Sequence, residues 1–523
     1  MALAVLFCAL LPSAAESRRE APRREPPLEA ALRLHVETLA SDEFEGREPG
    51  TDGETKTLRY LAREWFDIGM ESGTNDPGNA WFAPVVMVER EPLTSRAVFM
   101  RARKKLSAPD DGIFVVTSGI RSLIENAPLL FVGKGRASDA SRTELAGRIA
   151  LILDSDAGGD KAGGDKAGGD RAGGDKAGGD NAGGDKGPDR AGALLDAGAS
   201  AVITVLDGER TLDDVVARRR RAGYALFGER LGGDIEGFMS VGVAAQLLAG
   251  GAAGDLASLR RAAQAPDFAP RLLGVTGTLE ATSRETRIKT HNLIGKLEGR
   301  RSDAGAVMMV AHWDHFGKCA EPPAEHLICN GAVDNASGLA VITEVARILS
   351  RGKPLDRDVY FLATTGEELG LLGAQAFAEN PPIPLDKVVA VFNVDSTGLV
   401  PAGQPVSVVG RGMTHLDEGI DRVLKSMKRK AVPGNAANAY MRRQDGWVFI
   451  QHDVPAVMVS TAYSDAEKLE RFMEDRYHRP SDVSSKVEYG GMADDVILQA
   501  ALVRHFADAK RVPALKDMRA GTP

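Results

Sequence analysis

Three apolar segments in the second half of the chain end in acidic or imidazole side chains: "GAVMMVAHWDH", "RDVYFLATTGEE" and "KVVAVFNVDSTG". A fourth apolar segment, "VPAVMVSTA", follows later, and helical patterns separate the four. Continuous apolar runs of this kind are typical of strands buried in a parallel sheet. Their alternation with helices predicts an α/β domain, with a mixed, mainly parallel sheet sandwiched by helices. Because ligands bind at the carboxyl ends of such strands, the polar residues there are the first candidates for function.

The candidate residues at this edge are imidazoles and carboxylates, namely His312, Asp334, Glu367, Glu368, Asp395 and His478. Singly, each has a structural explanation: Asp334 as a helix N-cap, the adjacent glutamates as charges at a helix N-terminus, and His478 as a surface histidine. Together they form a mixed nitrogen and oxygen ligand set of the kind that zinc accepts. Several carboxylates packed together are costly without a cation. The sequence therefore predicts a divalent-metal site, and pairs of such ions serve hydrolysis.

The chain before these strands divides into two regions. Residues from about 28 to 75 contain two helical patterns, "EAALRLHVETLA" and "GETKTLRYLAREWFDIGM". From about 90 to 275, short β-like runs, the last of them "SVGVAAQLL", predict a small strand-rich unit. Within that unit a five-residue repeat, "AGGDK" and its variants, occupies 157–186. It lacks the apolar residues that build a core, so we expect a disordered surface loop there.

The N-terminal sequence predicts export to the periplasm or the medium. "MALAVLFCALLPSAAES" joins an apolar run to a small-residue cleavage site, so we expect 1–15 to be a signal peptide. The run has about ten residues, fewer than the ~20 that span a bilayer, so we expect no stable membrane insertion. Cys319 and Cys329 are expected to pair in an exported protein, with two unpaired thiols as the alternative. The net charge of -8 gives no sign of a nucleic-acid partner, which would require a basic face.

In order along the chain, "VAHWDHFG", "NGAVDNASGLAVITEVAR", "ATTGEELGLLGAQAF", "NVDSTG" and "YHRPSD" resemble the motifs of the M28 family of zinc aminopeptidases. The N-terminal "LASDEFEGREPGTDGETKTLRYLAREW" resembles the family's lead-in, and the strand-rich unit resembles the protease-associated domain often inserted in it. The resemblance implies a zinc-exopeptidase fold. In that fold, 16–90 and 276–515 would form the peptidase domain and 91–275 the inserted domain.

The resemblance also implies a role for each candidate residue. Five residues would bind two zinc ions, one of them bridging: His312 and Asp395 for the first ion, Glu368 and His478 for the second, and Asp334 for both. Glu367 would be the general base that takes a proton from a metal-bound water. Asp314 would be the carboxylate that orients the imidazole of His312.

The segment "AYMRRQDGWVFIQHDVPAVMVSTA" resembles the part of the family that carries substrate-pocket residues. Tyr440 and Arg443 are the candidate substrate contacts, with plain loop packing as the alternative. Family members often have Ser-Asp-His where this chain has Gln444, Asp445 and Gly446, so the pocket departs from the family pattern.

The expected activity is that of an aminopeptidase, which removes N-terminal residues from peptide substrates. A carboxypeptidase on the same fold is an alternative, because Arg442 and Arg443 offer guanidinium groups to a substrate carboxylate. A glutaminyl-cyclase-like transferase is a second alternative and would use a single zinc ion. A binding module with a vestigial peptidase domain would have lost ligands, and none of the expected ligands is missing. His315 and His415 receive no role from the sequence, which favours a solvated or structural histidine at each.

Overall fold

The computed structural model describes residues 26–154, 190–208, 210–219, 223–228 and 234–513. The predicted signal peptide and the repeat at 157–186 lie outside these residues. The strands form one mixed sheet: β1 (Glu71–Ser72), β2 (Phe82–Arg101), β3 (Lys104–Lys105), β4 (Ile113–Thr117), β5 (Arg121–Phe131), β6 (Ile149–Leu153), β7 (Ala201–Leu206), β8 (Gly223–Leu226), β9 (Ile235–Ser240), β10 (Arg271–Leu297), β11 (Ala306–His312), β12 (Asp358–Thr364), β13 (Val388–Asn393), β14 (Ser407–Val409) and β15 (Ala456–Ser460).

The α-helices of the described residues lie between and after these strands: α1 (Pro27–Leu39), α2 (Asp52–Ile68), α3 (Arg142–Leu145), α4 (Arg190–Asp196), α5 (Leu212–Arg219), α6 (Val241–Leu248), α7 (Leu256–Ala262), α8 (Gly338–Ser350), α9 (Leu372–Glu379), α10 (Asp417–Ser426), α11 (Gly446–Gln451), α12 (Ala466–Asp475) and α13 (Tyr489–Phe506). Among the described residues, no helix combines the length and the hydropathy that crossing a bilayer requires.

The four apolar segments singled out in the sequence form the parallel part of the sheet. Strand β11 lies between β12 and β13 and runs parallel to both, and β15 runs parallel to β13. Every residue of β11 and of β12 is buried, which explains why their sequences are continuous apolar runs. Antiparallel β10 and β14 flank this part, so the mixed, mainly parallel arrangement predicted for this part of the sheet is confirmed.

Helices cover both faces of the parallel part, as predicted. On one face α2, α8 and α13 bury a large apolar core that includes Trp65, Leu339 and Val496. On the other face α9 and α11 contribute Phe377 and Phe449 to a second core. Because helices cover both faces of the sheet, its polar loops lie at the ends of the strands, where a site can form.

Two long strands extend the sheet into the strand-rich unit. Strand β10 has 27 residues and pairs along most of its length with β2, which has 20. One end of β10 pairs with β12 and the other with β5. The unit beyond has its own hydrophobic core, which includes Phe131, Ile203 and Leu259. This continuous ribbon was not anticipated from the sequence, and the assignment of the unit to the protease-associated type stays a prediction.

The β-like interpretation of "SVGVAAQLL" is wrong for most of that segment. Ser240 ends β9, and the remaining residues form α6. The Ser240 hydroxyl oxygen accepts a hydrogen bond from the backbone N–H of Val243, which caps the helix. Val243, Ala244 and Leu247 are buried at three- and four-residue spacing, so the run is the apolar face of a short helix.

Substituting Phe361 by alanine should destabilise the peptidase core by about 3–5 kcal/mol, because it deletes a fully buried aromatic ring. The ring packs edge-to-face on Trp65 with the centroids 6.3 Å apart. Urea unfolding measures the loss as a lower midpoint. Phe66→Ala is the matched control, since Phe66 is 70% exposed, and its free energy of unfolding should change by no more than about 0.5 kcal/mol. Equal midpoints for the two variants would contradict the assignment of Phe361 to the core.

Candidate metal centre

The carboxyl ends of the parallel strands meet at one edge of the sheet and carry the candidate residues. His312 is the last residue of β11 and is in register with Thr364, the last residue of β12. Glu367 and Glu368 follow on the turn after β12, and Asp395 follows β13 by two positions. The sheet therefore gathers residues that are distant in the chain, as its parallel order requires.

Asp334 and His478 approach this edge from loops and complete a compact cluster. The His312 Nε2 atom lies 3.2 Å from Asp334 Oδ1 and 3.4 Å from Asp395 Oδ1. The His478 Nε2 atom lies 3.0 Å from Glu368 Oε2 and 3.5 Å from Asp334 Oδ2. The two oxygens of Asp334 thus face two different imidazoles, and each imidazole has a second carboxylate beside it.

The donor atoms of this cluster fit a divalent cation. The Nε2 atoms of His312 and His478 are buried and form no hydrogen bond within the described part of the chain. His312, Asp334 and Asp395 offer donor atoms that all lie within 4.8 Å of one another. Buried carboxylates packed this closely repel one another, and a cation between imidazole nitrogens and carboxylate oxygens would offset that repulsion.

The pKa values of the two adjacent glutamates are shifted in opposite directions. Burial raises the pKa of Glu367 well above its usual range, and the carboxylates of Asp395 and Glu368 reinforce the shift. Burial also acts to raise the pKa of Glu368, but the charge of the His478 imidazole and the hydrogen bonds from His315 and His478 together outweigh it and hold that pKa below the usual range. Glu368 therefore keeps its negative charge as a ligand must, whereas Glu367 has a high affinity for a proton.

A hydrogen-bonded turn, and not a helix start, holds the glutamates in place. Helix α9 begins only at Leu372. The backbone N–H groups of Glu367 and Glu368 donate to the two carboxylate oxygens of Asp314, at 3.1 Å and 3.4 Å. The Asp314 side chain was expected to orient His312. The His312 Nδ1 atom lies 3.2 Å from the backbone carbonyl oxygen of Asp314 and 3.9 Å from its carboxylate, so this role of Asp314 stays a prediction.

Asp334 is held by a carboxylate from the "YHRPSD" segment and is not a helix N-cap. Ser337 occupies the N-cap position of α8. The Asp482 Oδ2 atom accepts hydrogen bonds from the backbone N–H groups of Val333 at 2.9 Å and of Asp334 at 3.1 Å. These bonds fix the turn that presents the Asp334 carboxylate to both histidines.

A fully buried arginine, Arg47, supports the same turn from behind and was missed in the sequence. Its guanidinium donates to the backbone oxygens of Trp313 at 2.8 Å, Asn330 at 2.6 Å and Gly331 at 2.9 Å. Burial lowers the pKa of Arg47 to about 10, which still leaves it charged at neutral pH. Periodicity could not reveal it, because it lies in a polar loop; its only signal was its place in the lead-in motif.

A second missed residue is His315. Its side chain is fully buried, and its Nδ1 atom lies 2.7 Å from the Oε1 atom of Glu368. Burial lowers the pKa of His315, which favours the neutral ring. The sequence favoured a solvated or structural role for His315. The ring is indeed packed in the interior, but its hydrogen-bond partner, Glu368, is one of the candidate ligands.

The predicted substrate contacts lie beside the cluster. Tyr440 and Arg443 line a cavity that also reaches Asp395 and Tyr477. The Arg443 guanidinium carbon lies 5.5 Å from the centroid of the Tyr477 ring. Arg442 is exposed, and its guanidinium carbon lies 4.9 Å from the Trp447 ring instead. Of the two arginines considered for carboxylate recognition, Arg443 is therefore the one beside the centre.

The predicted disulfide is confirmed near the cluster. Cys319 and Cys329 are bonded, with their Cα atoms 5.7 Å apart. The loop they close packs tightly on the N-terminal segment. A Cβ atom at Gly46, whose φ is +67°, would lie 2.7 Å from the backbone oxygens of Cys329 and of Gly317, so only glycine fits there.

Comparison with known proteins assigns this arrangement to a family. Residues 292–502 match the sequence model of peptidase family M28. The chain is 46% identical over 68 residues to a probable zinc metalloprotease of Pyrenophora tritici-repentis, which covers 13% of this chain and 15% of the relative. It is 39% identical over 69 residues to aminopeptidase YwaD of Bacillus subtilis, which again covers 13% of this chain and 15% of the relative. The chain thus matches only about 15% of the length of each of these curated relatives.

The overall fold is similar to that of a solved aminopeptidase. The aminopeptidase from Aneurinibacillus sp. strain AM-1 superposes with a TM-score of 0.52 at 17% identity, covering 91% of this chain and 93% of that chain. At this identity the likeness establishes the fold alone, and the family match at 292–502 contains all of the clustered imidazoles and carboxylates. Residues 292–502, which hold the clustered imidazoles and carboxylates, are therefore identified as a peptidase domain of family M28.

Proposed function

We propose that this protein is a two-zinc aminopeptidase that removes N-terminal residues from peptides, with Glu367 as the general base. The observation that carries the proposal is the position of Asp334, whose two oxygens lie 3.2 Å and 3.5 Å from the Nε2 atoms of two different histidines. A carboxylate placed in this way suits a bridge between two cations. Two-metal sites of this kind serve hydrolysis.

Five side chains would hold the two ions. The first ion would take His312 and Asp395, the second Glu368 and His478, and Asp334 would be shared. When bound, such ions polarise a carbonyl and lower the pKa of a coordinated water. Every one of these side chains lies in the described structure with donor atoms facing the same space.

Glu367 would move the proton. Its Oε2 atom is 4.0 Å from the His312 Nε2 atom, so it borders the centre without being one of the five proposed ligands. A base with a raised pKa accepts a proton from the attacking water as the bond to the carbonyl carbon forms. It then gives that proton to the departing amine as the peptide C–N bond breaks. The products are the free N-terminal amino acid and the shortened peptide.

The cavity lined by Tyr440 and Arg443 would receive the side chain of the N-terminal residue. It opens beside Asp395, a proposed ligand, and Tyr463 and Tyr477 complete its aromatic wall. One observation also favours a second candidate, a carboxypeptidase. The half-buried Arg443 guanidinium hydrogen-bonds the Tyr477 side chain at the wall of this cavity, where it would also meet a substrate carboxylate.

The disulfide between Cys319 and Cys329 supports export, which we propose from the N-terminal sequence, since disulfides persist in oxidising compartments. No observation on the described residues favours the transferase alternative. One zinc ion per chain and pyroglutamate formation from an N-terminal glutamine would be its signs.

A panel of matched peptides tests the proposal. Each peptide is prepared with a free or acetylated N-terminus and with a free or amidated C-terminus. We expect hydrolysis of every peptide with a free N-terminus, whichever C-terminus it carries, loss of activity on chelation, and recovery with zinc. Hydrolysis that requires a free C-terminus and tolerates acetylation would replace the aminopeptidase with the carboxypeptidase.

A further inference from the structure

Glu368 lies between two imidazoles, and only one of them belongs to the proposed ligand set. Its Oε2 atom faces His478 Nε2 at 3.0 Å, whereas its Oε1 atom lies 2.7 Å from His315 Nδ1. The side chain of His315 is 0% exposed. This contact is thus shielded from water, where a hydrogen bond to a charged acceptor is strong.

The surroundings hold the His315 ring in one place. Its backbone N–H donates to the backbone oxygen of Arg47 at 3.2 Å, and its ring packs against Phe316 with the centroids 5.2 Å apart. A Cβ atom at Gly331 would lie 2.6 Å from the His315 Cδ2 atom, so the glycine leaves the space that the ring occupies. The ring therefore cannot turn away from Glu368 without displacing its neighbours.

We propose that His315 is a positioning residue, which donates a hydrogen bond from Nδ1 to Glu368 Oε1 and so presents Oε2 to the cation shared with His478. This inference rests on the proposed two-metal site. The terminal torsion of a glutamate side chain has broad, shallow minima, so a free carboxylate rotates easily. A hydrogen bond to Oε1 of Glu368 restricts this rotation and so fixes the position of Oε2. Partners of this kind behind a metal ligand are worth about 10–100-fold in metal affinity.

The geometry gives a matched pair of variants. The amide nitrogen of asparagine can take the place of Nδ1, whereas that of glutamine reaches the place of Nε2. His315→Asn should therefore keep the hydrogen bond to Glu368, while His315→Gln and His315→Ala should lose it. We expect His315→Asn to bind the second zinc ion within a few-fold of wild type, and the other two variants to bind it about 10–100-fold more weakly. The first ion should be unaffected in all three.

The readout is zinc affinity, measured on the full-length metal-loaded enzyme by competition with a chromophoric chelator, with circular dichroism to confirm folding. If His315→Ala fails to fold, the asparagine and glutamine variants carry the comparison. A wild-type affinity in His315→Gln and His315→Ala would overturn the proposal. So would an equal loss in all three, which is the result expected if the imidazole coordinates the ion directly. Because peptide hydrolysis is not measured, the substrate assignment can fail while this pattern of affinities stands.

Discussion

Replacing Glu367 by glutamine should lower kcat for peptide hydrolysis by about 10²–10⁴-fold, the usual range for a lost general base, while zinc stays bound. Glutamine keeps the size of the side chain and its contacts but has a negligible affinity for a proton. Glu367 is not among the five proposed ligands, so no metal–ligand bond is removed. Steady-state kinetics with a short free-N-terminal peptide, together with elemental analysis of zinc, checks both parts.

The neighbouring residue is the natural control. Glu368→Ala should lose the ion that His478 also binds, because it removes the carboxylate 3.0 Å from that imidazole. Two adjacent glutamates should thus fail in different ways, one by losing turnover and the other by losing metal. A Glu367→Gln protein that binds zinc and keeps the wild-type rate would remove the base assignment.

Replacing Asp334 by alanine should have the largest effect on metal content. It removes the carboxylate that faces both histidines, so we expect the protein to retain less than one zinc ion per chain, compared with about two in the wild type. Activity should fall with it. Because the Asp334 carboxylate is the proposed ligand of both ions, each ion loses one ligand when it is removed, and neither keeps a full set.

His478→Ala is the matched comparison for this variant, because it removes a ligand of one ion only. Elemental analysis after dialysis against a weak chelator should give about one ion per chain, with the pair His312 and Asp395 still occupied. If Asp334→Ala and His478→Ala retained the same amount of zinc, Asp334 would not be a bridge.

The sequence predicted the parallel strands and the clustered residues because both depend on local patterns. A buried strand is a run of apolar residues, and in a parallel sheet the residue that follows it must lie at the shared edge. His312, Glu367 and Asp395 could be placed together on that ground alone. The family resemblance then supplied the individual roles.

The supporting residues could not be found in the same way. Arg47 lies in a polar loop, and its acceptors are backbone oxygens that carry no sequence signal. His315 stands one position after Asp314, yet its contact with Glu368 depends on the pairing of β11 with β12. The hydrogen bonds that the Asp314 carboxylate accepts from the backbone N–H groups of Glu367 and Glu368 were also missed, because the sequence does not show how the turn after β12 folds back on it.

Non-local pairing also explains the errors in the strand-rich unit. The partners of β10 lie on β1, β2, β5 and β12, more than sixty residues away in the sequence at every matched pair. Read locally, such a strand breaks into short runs at its polar positions. The short helix α6 was taken for a strand because eight residues are too few for a helical period to be separated from an apolar run.

Anomalous diffraction at the zinc absorption edge, from crystals of the zinc-loaded protein, tests the central claim most directly. The account predicts two peaks on either side of the Asp334 carboxylate, one beside His312 and Asp395 and the other beside Glu368 and His478. A single peak, or peaks away from these side chains, would contradict it.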